Sequence, residues 1–179
     1  MTLKDIIIKS AGILGLENLD FNSPSEPLSK LIDSAKMIVS ELTLEHLPLK
    51  TKEVVTIRGG RGLYEELSRP VRQILKVKSG SKSYSAEMYP NCYILPIDVS
   101  GEMEVSYLYY IVDVGVDDEL TLPPQVPAYV LATGVVSEYY YRTGMVDEAL
   151  FYKTRYDYSI ENLSRSLKSV YLPRRGFIW

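Results

Sequence analysis

His46 is the only histidine of this chain and Cys92 its only cysteine. Those two facts decide most of what its side chains can do chemically. Serine–histidine–carboxylate catalysis would need His46 as base, yet no serine sits in the elbow motif that presents such a nucleophile. More generally, no nucleophile lies beside a base that could activate it. One cysteine excludes an intramolecular disulfide and a cysteine-based zinc site, and a buried, inert thiol is expected. Glu41 and Glu45 lie close to His46. Adjacent residues such as Glu45 and His46 do not share a helix face, however, so His46 reads as a helix-end residue rather than a metal ligand. Asp117-Asp118-Glu119 lacks calcium-loop spacing and reads as a solvated loop. Arg58-Gly59-Gly60-Arg61-Gly62 has the glycines of a phosphate loop but not its Gly-Lys-Ser/Thr ending, and a turn is the simpler reading. The expectation is a protein that is not an enzyme and carries no cofactor and no metal.

The elements follow from the apolar period. Residues 2–15 predict a helix, with Thr2 and Asp5 as a capping pair, one apolar face through Leu3, Ile6, Ile7, Ala11 and Leu14, and Gly15 as its stop. A loop rich in Ser, Asn and Pro leads to a second helix, from Leu28 to a stop near Leu47-Pro48. The period then changes. Residues 53–58, 71–77, 84–89 and 92–97 read as strands, with Ser79-Gly80-Ser81 as a hairpin turn. Met103, Val105, Tyr107, Tyr109 and Ile111 alternate with Glu102, Glu104 and Ser106, the clearest period of two in the chain. A third helix is expected from near Pro124, with proline tolerated in its first turn, to Gly144. A fourth starts near Asp147, and the short Thr143-Gly144 connection makes the pair antiparallel neighbours.

The expected class is α+β: a small helical bundle from residues 1–50 and 121–168, an inserted antiparallel β subdomain over 51–120, and an extended C-terminal arm over 169–179. No apolar run approaches the ~20 residues of a membrane span. The N-terminal apolar run is interrupted by Asp5 and Lys9 and lacks a cleavage signal. A soluble protein without a membrane partner is expected.

Charge is unevenly spread. Between Lys50 and Lys82 stand nine Lys or Arg against three Glu, and from Ser83 through Tyr141 there are nine acids and no Lys or Arg. Adjacent strands could neutralise one another within a subunit. Alternatively, a basic edge with Arg58, Arg61 and Arg72 could meet an acidic edge with Glu102 and Glu104 on a neighbouring copy, a head-to-tail contact that closes into a ring. The net charge of −3 argues against duplex binding, which relies on phosphate neutralisation. A tube conducting DNA would prefer an acidic or neutral wall, and salt-dependent affinity for plain DNA would count against such a wall.

Tyrosine is in excess, 15 residues against three Phe and one Trp. Tyrosine gives large contact area at low rotamer cost and is common at interfaces, though it also completes cores. The chain closes on Pro173-Arg174-Arg175-Gly176-Phe177-Ile178-Trp179. A terminus can fray or fold back on its own domain. Aromatics flanked by arginine are also the composition of interface anchors, and docking into a partner is the favoured expectation.

Taken in order, several segments match one layout. Leu42-Thr43-Leu44-Glu45-His46-Leu47-Pro48-Leu49 closes an early helix before a β insertion. The Tyr129–Tyr141 helix follows, then Gly144 and Asp147-Glu148-Ala149 at the junction to a helix bearing Arg155-Tyr156, then the arginine-rich aromatic tail. This layout resembles the head-to-tail connector proteins of tailed bacteriophages, in particular the adaptors of short-tailed phages (tail tubular protein A, or head completion protein). The resemblance covers most of the chain and rests on layout and loose motifs. It implies a homo-oligomeric ring, typically dodecameric, below the portal protein at the capsid vertex of the virion. Such a ring extends the channel through which genomic DNA passes without specific binding, and offers a platform to a tail or further neck protein. It also implies that Arg174, Arg175, Phe177, Ile178 and Trp179 dock into the portal. Another ring or stopper of the same neck, or a cellular module whose β subdomain captures a ligand, are the alternatives.

Overall fold

The computed structural model describes residues 1–17, 19–96 and 99–168, with side chains described to residue 165. Among them are four α-helices and two antiparallel sheets, so the chain is α+β. It forms two compact units. One joins Met1–Ile38 to the chain from Val114 onward, and the other is Val39–Asp113.

Helix α1 is Leu3–Leu14. The Thr2 hydroxyl accepts from the Asp5 N–H at 3.2 Å and the Asp5 carboxylate accepts from the Thr2 N–H at 2.8 Å. Both otherwise orphaned donors are thereby satisfied, and these bonds hold the Asp5 carboxyl below its ordinary range. Gly15 closes the helix in the left-handed conformation, φ 68°, which a residue without Cβ adopts at no steric cost. Helix α2 is Glu26–Glu41, and buries Leu28, Leu31, Ala35 and Ile38 at helical spacing.

Helix α3, Ala128–Arg142, packs against α1 and against α4, Val146–Lys168. Its start lies past the Pro124 expected from the sequence. Pro127 is the cap residue, in extended conformation, and its ring disfavours helical geometry in Val126 before it, so the helix starts only after it. From Val130 to Ser137 every residue of α3 is buried, so the middle of this helix is enclosed on all sides rather than amphipathic. At its middle, Gly134 lets the Tyr156 ring of α4 come close; a Cβ there would stand 2.8 Å from Tyr156 Cδ2. The Ser137 hydroxyl donates to the Ala149 carbonyl at 2.8 Å, a second tie between the two helices.

The second unit opens with a tightly wound segment. After α2 the chain makes one π-helical turn, Leu42–His46, closed by the Leu47 N–H on the Leu42 carbonyl at 2.8 Å. Pro48, lacking an N–H, cannot continue it. The α-helical stretch therefore ends at Glu41, before the Leu47-Pro48 stop expected from the sequence. Thr43 is buried and its hydroxyl accepts from the Ile111 N–H at 2.9 Å, which binds this turn to the end of the β region.

Seven strands follow: β1 Leu49–Ile57, β2 Arg61–Leu63, β3 Val71–Ser79, β4 Lys82–Tyr84, β5 Glu87–Met88, β6 Cys92–Ile94 and β7 Gly101–Tyr109. One sheet has the order β1-β7-β3-β4 and the other β2-β6-β5. The run expected as a single strand over 84–89 is divided between the two sheets, with β4 pairing to β3 and β5 to β6. Met103, Val105, Tyr107 and Tyr109 of β7 face a core with Val55, Ile57, Ile74, Val77, Tyr93 and Leu95. The side chains alternate between faces along the strand, although Ser106 on the opposite face is buried as well.

Candidate functional site: two open surfaces

Two surfaces stand out, one on each unit. The first is on the α3–α4 hairpin. Gly144, at φ 81°, turns the chain, and the Met145 N–H bonds back to the Tyr140 carbonyl at 2.9 Å. Helix α4 then buries Ala149, Tyr156 and Ile160. The opposite side of α4 is apolar as well. Leu150 is 58 % exposed, Phe151 59 % and Tyr158 68 %, and on α3 Tyr141 is 66 % exposed. Met145 and Val146 are also open. Phe151, Arg155 and Tyr158 are spaced i, i+4, i+7 and so form one stripe, with the Arg155 guanidinium 5.9 Å from the Phe151 ring centre. Behind the stripe, the Tyr140 and Tyr152 rings stack with centres 5.8 Å apart. Exposed aromatics on one helix stripe, with arginine among them, are the composition of a protein–protein interface.

The second surface is the outward face of the four-stranded sheet. Side chains directly opposite in a ladder share a face. The register therefore sets Lys50 beside Leu108 and Gln73, Lys52 beside Ser106 and Lys76, Val54 beside Glu104 and Lys78, and Thr56 beside Glu102. Glu104 pairs with Lys52 at 3.2 Å. Strand β7 lies inside the sheet between β1 and β3, so Glu102 and Glu104 sit on an inner strand flanked by basic ones, with no edge of their own. Arg58 and Arg61 face each other across the Gly59-Gly60 turn, whose φ values of 56° and 69° require glycine. With Thr56, Leu63 and Glu66 they line an open concavity of about 480 Å³. Arg72 is exposed at a register shift in β3, at the opposite end of the sheet. Of the five residues expected at an inter-subunit contact, the fold thus brings together Arg58 with Arg61, places Glu102 and Glu104 along one strand, and leaves Arg72 apart. Arg174, Arg175, Phe177, Ile178 and Trp179 lie outside the described residues.

The π-helical turn alters the setting of His46. In an i→i+5 turn, residues five apart share a face, and ligand atoms of Glu41, Glu45 and His46 come within 4.8 Å of one another. A regular helix, assumed in the sequence reading, would not do this. Two of the three groups are exposed, and exposed acidic groups of this kind are common without an ion.

Within the second unit a polar latch fixes the loop after β2. The Glu53 carboxylate accepts from the Ser68 N–H at 2.9 Å, from the Ser68 hydroxyl at 2.5 Å, and from the Tyr107 hydroxyl. Burial raises the Glu53 carboxyl, but these bonds outweigh it and the group is held below its ordinary 4.5. Burial, and then the bond to Glu53, push the Tyr107 phenol up to about 12. Each partner favours the charge state the other needs, which marks a structural tie rather than a proton-transfer pair. Cys92 is buried and free.

The sequence reading missed the apolar stripe of α4. Its signal was present: Leu150, Phe151 and Tyr158 fall off the register of Ala149, Tyr156 and Ile160. The lysine rows were also missed, because alternation shows which residues share a face only once strand neighbours are known. Among the described residues no helix is long and apolar enough to cross a membrane. No protein-family model matches the chain, and no curated protein matches it.

Proposed function

We propose that this chain is a structural virion protein, a ring adaptor between the portal and tail of a tailed bacteriophage. The observation that carries the reading is the exposed aromatic stripe of the α3–α4 hairpin, which a protein working alone would not keep open to water. A second copy of the chain is its occupant, because repeated head-to-tail contact of one such patch with another surface closes a ring. The resemblance in layout to short-tailed phage adaptors supplies the position below the portal, the copy number near twelve, and the role of the tail residues Arg174, Arg175, Phe177, Ile178 and Trp179 as portal anchors. Genomic DNA passes through such a ring without base-specific contact, and the outer end of the ring receives a tail or further neck protein. The ring assembles in the host cytoplasm and remains in the virion. No enzymatic step is part of this reading.

Electron microscopy of the particle that co-purifies with the chain from its source tests the proposal. A ring around an axial channel between capsid vertex and tail is the expected result. A compact monomer with no larger particle and a bound small molecule would overturn it in favour of a ligand-binding module. A ring with a different immediate neighbour would reassign it to another level of the neck.

A further inference from the structure

We infer that the outward face of the four-stranded sheet binds the phosphate backbone of double-stranded nucleic acid, without reading its sequence. Lys50 and Lys52 on β1 and Lys76 on β3 point to this face and are exposed, and Lys78 lies half-buried at its margin. Alternate residues along a strand stand ~7 Å apart, and β1 and β3, with β7 between them, ~10 Å apart. The four ammonium groups thus form a small grid. Only Lys52 has a carboxylate partner, Glu104. Among the described residues Lys50, Lys76 and Lys78 have no ion-pair partner. An independent sign lies at the centre of the grid. Ser106, flanked by Lys52 and Lys76, is 2 % exposed and its hydroxyl has no hydrogen-bond partner. A buried polar group without a partner is costly, and a phosphate oxygen could accept from it only if the side chains that enclose it move aside on binding. At the β2 end, the same face of β1 continues through Thr56 to Arg58, which faces Arg61 across the turn. Like charges set opposite each other destabilise a ladder, and an anion between them removes that cost.

The chemistry of the face chooses among polyanions. Protein interfaces are depleted in lysine and enriched in arginine and aromatics, whereas the grid is lysine. Single strands are held by stacking on aromatic rings, and the outward residues of β1, β7 and β3 include no aromatic. What remains is a set of four lysines around Val54, Glu102 and Glu104, with cations to spare for duplex phosphates. Of the acids after Ser83, Glu102 and Glu104 share this face, and Glu104 is taken up by Lys52. The inference stands on the sheet alone and does not need the ring.

The test is fluorescence anisotropy of the full chain with a labelled 20-base-pair DNA duplex over a salt series. We expect binding at low salt that weakens as salt rises. Lys76→Ala with Lys78→Ala should cut affinity at least ~10-fold and flatten the logarithmic salt slope by roughly 2, one for each phosphate no longer neutralised. Lys9→Ala with Lys36→Ala removes the same charge from exposed sites on α1 and α2 and should leave the slope unchanged. Circular dichroism of both variants guards against unfolding. Absence of binding at low salt overturns the inference, as does equal weakening by both pairs. Binding of polyglutamate but not of DNA overturns it too, in favour of an acidic protein partner. Salt-dependent binding would take this face off the wall of a DNA-conducting channel, whereas ring formation itself is read separately by microscopy.

Discussion

At the scale of single residues, two buried tyrosines of the second unit make opposite contributions. The Tyr107 hydroxyl donates to the Glu53 carboxylate, whereas the Tyr93 hydroxyl is buried with no hydrogen-bond partner and burial pushes its phenol up to about 12. Bonds to a charged acceptor contribute more than neutral ones, while an unsatisfied hydroxyl costs its desolvation. Tyr107→Phe should therefore lose ~1–2 kcal/mol, and Tyr93→Phe should be neutral or gain up to ~1 kcal/mol, read from urea melts. If both losses are alike, the hydroxyl assignment is wrong. The same latch sets an acid limit. Glu53 titrates below its ordinary 4.5 in the folded state, so its contribution is present above that pH and is lost as pH falls through the folded value. Replacing Glu53 by Gln should flatten the acid side of the stability curve. On the alkaline side, Tyr107 stabilises below pH 10 and that contribution fades as pH rises towards 12. None of these pairings was legible in the sequence. Glu53, Ser68 and Tyr107 are far apart along the chain, and only the β1–β7 register and the loop after β2 bring them together.

At the scale of elements, the α3–α4 contact is set by Gly134. In an isolated helix, Gly134→Ala would gain ~1 kcal/mol of propensity. Here the added Cβ would meet the Tyr156 ring at 2.8 Å, inside a fully buried side chain. Overpacking of a tight core costs ~1–3 kcal/mol, so packing should win and the midpoint of thermal unfolding should fall. A rise would show that the Tyr156 ring gives way easily. The Thr2–Asp5 cap of α1, the Gly15 and Gly144 stops, the hairpin at Gly80 and the face alternation of β7 were readable locally, because each depends on neighbours in sequence. The late start of α3 and the π-helical turn were not. The first is a compromise among several prolines. The second is closed by a bond five residues apart, and its buried Thr43 hydroxyl is occupied by the Ile111 N–H, from the far end of the β region.

At the scale of the whole molecule, the proposed assembly makes two demands. Leu150→Ser with Phe151→Ser changes exposed residues, so folding should be preserved while self-association falls by at least ~10-fold if they are interface anchors. Analytical ultracentrifugation of the two proteins checks this, alone and with the particle that templates the ring. Unchanged assembly would remove the stripe from the interface. Truncation after Pro173 should leave the thermal melt intact and abolish incorporation into the particle. Unfolding on truncation would instead mean that the arm completes its own domain.

The sequence by itself determined the class of the fold, because apolar periods of 3.6 and 2 and the glycine and proline stops are local properties of a chain. It also determined that charge is segregated along the chain. Only the tertiary structure decided where that charge acts. Strand order put the acidic β7 between two basic strands, so Glu104 is paired with Lys52, and the remaining lysines gather on one face. The tertiary structure likewise decided which tyrosines are core and which are open: Tyr93, Tyr107 and Tyr156 are enclosed, whereas Tyr129, Tyr141 and Tyr158 face water. Burial depends on which elements pack against which, and that is a property of contacts distant in sequence.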